Sequence, residues 1–202
     1  MAIDFFNLAS KMSCVVAFIV PVSFMKWSVQ KELNKDFKLV HYEYLEENSF
    51  LDRNKDFSVR TVFQVWCRKD FNLMPDLRLQ SAPPIKHKDF NIWQYNATPQ
   101  SLHVVDEDWT IAVYRQGYHD YNQTFNASQR EEVRSRMSGD FTGGKQQFFF
   151  IQPLTKESEE IIKTMDFNAL AARNTATPGF GKGDFVSYYI ELKNKQSLIK
   201  AL

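Results

Sequence analysis

The sequence predicts an α/β protein in two parts: a sheet-forming segment over residues 1–70 and a small α+β module over residues 89–202, joined by a linker at 71–88. Three observations carry this reading. Residues Cys14 to Val20, CVVAFIV, carry no charge, are rich in β-branched and aromatic types, and are stopped by Pro21 after about one strand length. That pattern suits a strand buried on both faces, as in a parallel sheet covered by helices. The linker segment holds Pro75, Pro83 and Pro84 and shows no hydrophobic period. Beyond it, short apolar runs and polar helical stretches follow one another in the order of a compact α+β unit.

Residues 2–12 place Ile3 and Phe6, with Phe5, Leu8 and Ala9, on one helical face, so a short amphipathic helix should lead into the apolar strand. A helix feeding a parallel strand should follow an earlier strand, which would lie before Met1. After Pro21, residues 23–34 are expected to be helical, with Ser23 as cap and Asn34 as stop. FKLVHYEYL (37–45) is a second strand, and Asp52 to Asp56 has turn composition. FSVRTVFQVW (57–66) is a third strand. Strand, polar turn and strand predict an antiparallel end to an otherwise parallel sheet.

In the second part FNIWQYN (90–96) should be a strand, and Thr98-Pro99 opens a short helical stretch. WTIAVYRQG (109–117) is a strand closed by Gly117. A helix is expected at 127–137, a glycine turn at Gly143-Gly144, and a strand at QQFFFIQP ended by Pro153. Thr155 should cap a helix that runs to Arg173 with a break near Asp166. TPGFGKGD (177–184) is a tight loop, and Asp184 caps a last helix.

The apolar share of 44% excludes a disordered chain, and 18 phenylalanines predict a Phe-rich core. A net charge of +1 excludes a global basic field of the kind that announces nucleic acid, while leaving room for a local one. Cys14 and Cys67 sit in apolar runs and are expected as buried free thiols, suited to a reducing cytoplasm. The four histidines are scattered, without zinc spacing. No run approaches the length that spans a bilayer, and no signal-peptide pattern opens the chain. A cytoplasmic protein is therefore expected.

The phrases CVVAFIVPVSFMKWSVQKELN, FKLVHYEYLEENSF and FSVRTVFQVW, taken in order, resemble the C-terminal part of S-adenosylmethionine-dependent DNA adenine-N6 methyltransferases of phage and bacterial type. The later phrases IWQYNATP, VYRQGY and TPGFGKGD resemble the tail that some of these proteins carry. The resemblance implies that residues 1–70 are the end of a Rossmann-like methyltransferase sheet and that residues 89–202 serve target recognition or assembly. The family's glycine-rich cofactor loop and its Asn-Pro-Pro-aromatic catalytic loop have no counterpart here, since Pro83-Pro84 is preceded by Ala82. The resemblance thus implies no catalytic or cofactor residue in this chain alone. S-adenosylmethionine would bind only when a separate N-terminal half completes the enzyme. The edge of the Cys14–Val20 strand, left without its neighbour, should be covered by that half, by the second domain or by self-association. The alternative is a stand-alone nucleic-acid- or protein-binding module of phage or mobile-element origin.

Six residues are the candidate nucleic-acid contacts. Phe24 follows the IVP phrase, and the resemblance places such a residue near a flipped base; the plainer role is packing at the strand end. Lys26, beside Trp27, is a candidate backbone contact, as are Arg130, Arg134 and Arg136. Arg115, Tyr118 and Tyr121 lie in VYRQGYHDYNQTF, where basic and aromatic side chains interleave as phosphate-binding and base-stacking groups do. Lys182 sits in a glycine-rich loop before a helix, an arrangement that can hold phosphate, although the Walker spacing is absent. His119-Asp120 is half of a general-base pair with no nucleophile at a diagnostic distance. Glu43, Glu46 and Glu47 would need converging side chains to act as paired carboxylates.

Overall fold

The computed structural model describes residues 1–46, 50–52, 55–57, 59–71, 73–138, 146–173 and 177–200, with backbone alone for 50–52, 55–57, 138 and 199–200. The predicted turn at Gly143-Gly144, residue Glu47 and much of the 52–56 turn lie outside these residues. The chain is mixed α/β with two antiparallel sheets, and it divides into two compact units. One is built from Met1–Ala82 together with Arg173–Ala176; the other comprises Pro83–Ala172 and Thr177–Leu202.

The first unit opens with α1 (Ala2–Met12) and β1 (Val15–Pro21). A 3-10 turn at Val22–Met25 and the single turn α2 (Trp27–Gln30) follow. The continuous helix expected over 23–34 is interrupted because Lys26 is extended, at φ −90 and ψ 144. Next come β2 (Phe37–Tyr44), the hairpin strands β3 (Phe50–Asp52) and β4 (Lys55–Phe57), and β5 (Thr61–Arg68). The sheet order is β1-β5-β2, with β5 antiparallel to both neighbours. β1 and β2 therefore point the same way with β5 returning between them. A register shift between Leu39 and His41 puts a bulge into β2.

The parallel, doubly buried strand expected at Cys14–Val20 is not what forms. Every strand pair among the described residues is antiparallel. β1 also buries one face only: Val16 and Val20 enter the core, whereas Val15, Ala17 and Ile19 are exposed, Ile19 by 52%. The physical reason is the pleat, which sends alternate residues to opposite faces however apolar the run is. The buried face is organised around Phe6 of α1, whose ring lies 5.5 Å from Phe18, 5.8 Å from Phe37 and 5.3 Å from Trp66. Val62, Leu33, Leu39 and Phe24 complete this core.

The second unit contains β6 (Phe90–Tyr95), a 3-10 helix at Pro99–Asp106, β7 (Ile111–Gln116), β8 (Thr124–Asn126) and α3 (Arg130–Ser138). After these come β9 (Gln147–Pro153), α4 (Lys156–Lys163), α5 (Phe167–Ala172) and α6 (Lys182–Lys200). Thr155 and Ser158 form the capping box of α4. The predicted break near Asp166 separates α4 from α5. The sheet runs β6-β9-β7-β8, all antiparallel. Its interior strands β9 and β7 are buried on both faces: Phe148, Phe149, Phe150 and Ile151 have no exposure, and Ile111 to Tyr114 are all buried. On one face Phe148 and Phe150 meet Tyr114 and Trp109. On the other, Phe149 meets Phe180 and Phe185. The Phe-rich core expected from composition lies here.

Among the described residues no helix is long and apolar enough to cross a membrane.

Candidate functional site

The structure spends most of the six candidate side chains on its own packing. Phe24 is 4% exposed and its ring stands edge-on to Phe18 at 5.6 Å, so no face is open to a base. Lys26 is half-buried at the start of α2, where its carbonyl accepts the Val29 and Gln30 N–H groups. Tyr121 is 4% exposed, and its hydroxyl donates to Pro178 O at 2.7 Å. Tyr118 is half-buried and stacks on Tyr114 with ring centroids 4.0 Å apart. The aromatic content of VYRQGYHDYNQTF thus builds the unit's interior.

Arg115 extends over the Phe149 ring, 5.3 Å from its centroid. Its Nε donates to Phe180 O at 3.3 Å, and Nη1 donates to Asn96 Oδ1 at 3.2 Å and to Gln147 Oε1. Burial holds this guanidinium below its ordinary pKa, against the pull of Asp184. The loop around Gly179 is tied to the same strand. Phe180 N–H donates to Arg115 O at 3.0 Å, and Gly179 has φ +151. A Cβ on Gly179 would lie 2.6 Å from Arg115 O. Asp184 Oδ2 accepts the Gly181 N–H at 2.8 Å, so a side-chain carboxylate already occupies the position where an anion would sit. Lys182 donates to Ile92 O at 2.9 Å. Burial, and then the charge of Lys86, push its ammonium below the ordinary lysine value. Lys86, His87, Trp93 and Lys182 line a shallow cleft of about 200 Å³.

The α3 arginines are likewise committed. Arg130 lies over Trp109 and donates to Glu107 O at 3.0 Å and to Val105 O. Arg134 pairs with Asp106, and Arg136 with Glu132 at 2.7 Å and with the Tyr114 hydroxyl at 2.9 Å. Asp120 accepts from Asn122 N and Asn168 Nδ2, so it does not orient His119.

Sequence reasoning missed a residue in the expected linker. Arg78 is 9% exposed and donates to Asn34 O and Leu33 O at 2.8 Å, to Phe37 O at 3.1 Å, and to Gln30 O. It also lies 5.6 Å over the Trp66 ring. Gln30, fully buried, accepts the Leu79 N–H and donates to Phe24 O. These bonds fasten residues 78–79 to the turn between α2 and β2, within the first unit. The only sequence signal is an arginine between two leucines, LRLQ, amid proline-rich chain. Beside it opens a cleft of about 450 Å³ lined by Trp27, Lys31, Lys35, Lys69, Arg78, Leu79 and Gln80. None of these residues is acidic. Lys31, Lys35 and Lys69 are exposed, and Trp27 is half-buried.

Comparison with family models, with curated proteins and with solved structures found no match to this chain.

Proposed function

We propose that this chain is the C-terminal, catalytically incomplete portion of a DNA adenine methyltransferase-like protein, and that methyl transfer needs a separate N-terminal half. That half would bring the glycine-rich cofactor loop and the Asn-Pro-Pro-aromatic loop, and it would hold S-adenosylmethionine. One observation carries the reading. β1 and β2 run in the same direction, and β5 returns antiparallel between them. A parallel α/β sheet finished by a strand-and-hairpin ending has this arrangement. Among the described residues β1 is paired on one side only, which leaves its far edge as the place where further parallel strands of a Rossmann-like sheet would add. Next to that edge Val15, Ala17 and Ile19 present an uncovered apolar face, a combination that favours association over solvation.

The test is co-expression with the methyltransferase half encoded upstream. The reading expects a stable complex that binds S-adenosylmethionine, and it expects Ile19→Asp on this chain to prevent that complex from forming. A complex with no gain in cofactor binding contradicts the split-enzyme reading. A concentration-dependent homodimer that is abolished by Ile19→Asp and binds no cofactor would replace it with self-association through the same edge.

A further inference from the structure

We infer that the basic cleft of the first unit binds the phosphate backbone of a single-stranded nucleic acid, with one unstacked base placed against Trp27. The inference goes beyond the methyltransferase reading and does not depend on it, because every residue involved lies within Trp27–Gln80 and the cleft is formed without a second half.

The charge argument is local. The chain as a whole carries only +1, yet this cleft is lined by Lys31, Lys35, Lys69 and Arg78 with no acid among its lining residues. The carboxylates nearby are hydrogen-bonded or exposed. Asp70 takes the Arg68 guanidinium at 2.8 Å. Asp76 accepts the Arg78 N–H at 2.9 Å and Gln80 Nε2 at 3.2 Å. Glu32 lies 3.5 Å from Lys31, an exposed and weak pair, and Asp36 is exposed on the same turn. Phosphate groups entering the cleft would find three solvated ammonium groups, whose long stems let them follow a strand's backbone.

The shape argument selects the form of nucleic acid. Arg78 is pinned by four backbone carbonyls, so the floor of the cleft is fixed before any ligand arrives. About 450 Å³ is room for one nucleotide and too little for a duplex segment. Trp27 and the 36%-exposed Leu79 give an apolar wall beside the lysines. An aromatic wall binds a base only when that base's face is free, as in a single strand. The Lys182 cleft of the second unit is about half this size, and its lysine already donates to a carbonyl.

The experiment is fluorescence anisotropy with a labelled oligothymidylate of about 12 nucleotides, at several salt concentrations between about 50 and 200 mM. The native chain should bind the single strand at least tenfold more tightly than the matching duplex. Replacing Lys31, Lys35 and Lys69 together by alanine should flatten the slope of log affinity against log salt by about two, as loss of three phosphate contacts on a single strand requires. Trp27→Leu should weaken binding by roughly tenfold and leave that slope unchanged. Trp27→Phe, which keeps an aromatic face and guards against a folding defect, should restore most of the loss. Absence of binding at the lowest salt would overturn the proposal, as would equal affinity for duplex or an unchanged salt slope in the triple variant. Displacement by inorganic polyphosphate as effective as by the oligonucleotide, with no effect of Trp27→Leu, would reduce the cleft to a non-specific polyanion surface and equally overturn it.

Discussion

Arg78 shows how much one side chain can organise. Its planar fork donates to the carbonyls of Gln30, Leu33, Asn34 and Phe37, of which Gln30 O and Asn34 O also accept the Leu33 and Phe37 N–H groups. Burial pulls its pKa down, yet a guanidinium remains charged, so the site holds a permanent cation. Arg78→Ala should cost about 3 kcal/mol, since several buried acceptors lose their donors at once. Arg78→Lys should recover little, because an ammonium cannot reach the same four oxygens in plane. Urea denaturation followed by tryptophan fluorescence measures both. In the second unit Asp89 has the comparable position. It is largely buried and accepts from Lys193 and from the Tyr189 hydroxyl at 2.8 Å. Lys193 first, then Tyr189, hold its carboxyl below the ordinary aspartate value, while burial and Asp89 push the Tyr189 hydroxyl well above its own. A depressed carboxyl stabilises the fold fully above the unfolded-state value of about 4 and loses that contribution as pH falls through the lower folded value. Stability should therefore fall below about pH 4, and Asp89→Asn should be less stable at pH 7 with a flatter acid limb. An equal loss at every pH would show that Asp89 acts through packing alone.

At the scale of elements, the two apolar runs teach opposite lessons. CVVAFIV and QFFFIQP both have uncharged, apolar centres, and the sequence alone suggests a doubly buried strand for the first. The second holds that place: β9 sits between β6 and β7, with aromatic layers on both sides. What separates them is neighbours, which come from chain distant in sequence and leave no mark on the run itself. Local signals were legible where local physics decides. Thr155 as cap, the break near Asp166, Pro153 as a strand stop and the antiparallel pairing of β2 with β5 all follow from residues close at hand. The helix expected over 23–34 failed where one extended residue, Lys26, splits it, and β8 is too short, at Thr124–Asn126, to show an alternating pattern. The candidate contacts Phe24, Tyr121 and Arg115 were chosen by residue type, and type does not reveal that a ring or guanidinium faces inward. Gly179 is an element-scale prediction of its own. Its φ of +151 and the Arg115 carbonyl 2.6 Å from a would-be Cβ leave no room for a side chain. Gly179→Ala should destabilise the second unit by more than 1 kcal/mol, read as a lowered urea midpoint, whereas Gly183→Ala, with nothing nearer than 3.4 Å, should be mild.

For the whole molecule, the contrast between the two units is the main fact. The second covers its central strands on both faces; in the first, among the described residues, β1 leaves Val15, Ala17 and Ile19 exposed and one edge unpaired. An open strand edge is suited to further pairing, which is why we propose this unit as the end of a methyltransferase sheet. The central claim is most directly tested by calorimetric titration of S-adenosylmethionine into this chain alone and into its complex with the proposed N-terminal half. The account predicts no heat of binding with the chain alone and clear binding with the complex. Micromolar binding by the chain alone, or a complex that binds no more cofactor than its parts, would contradict it.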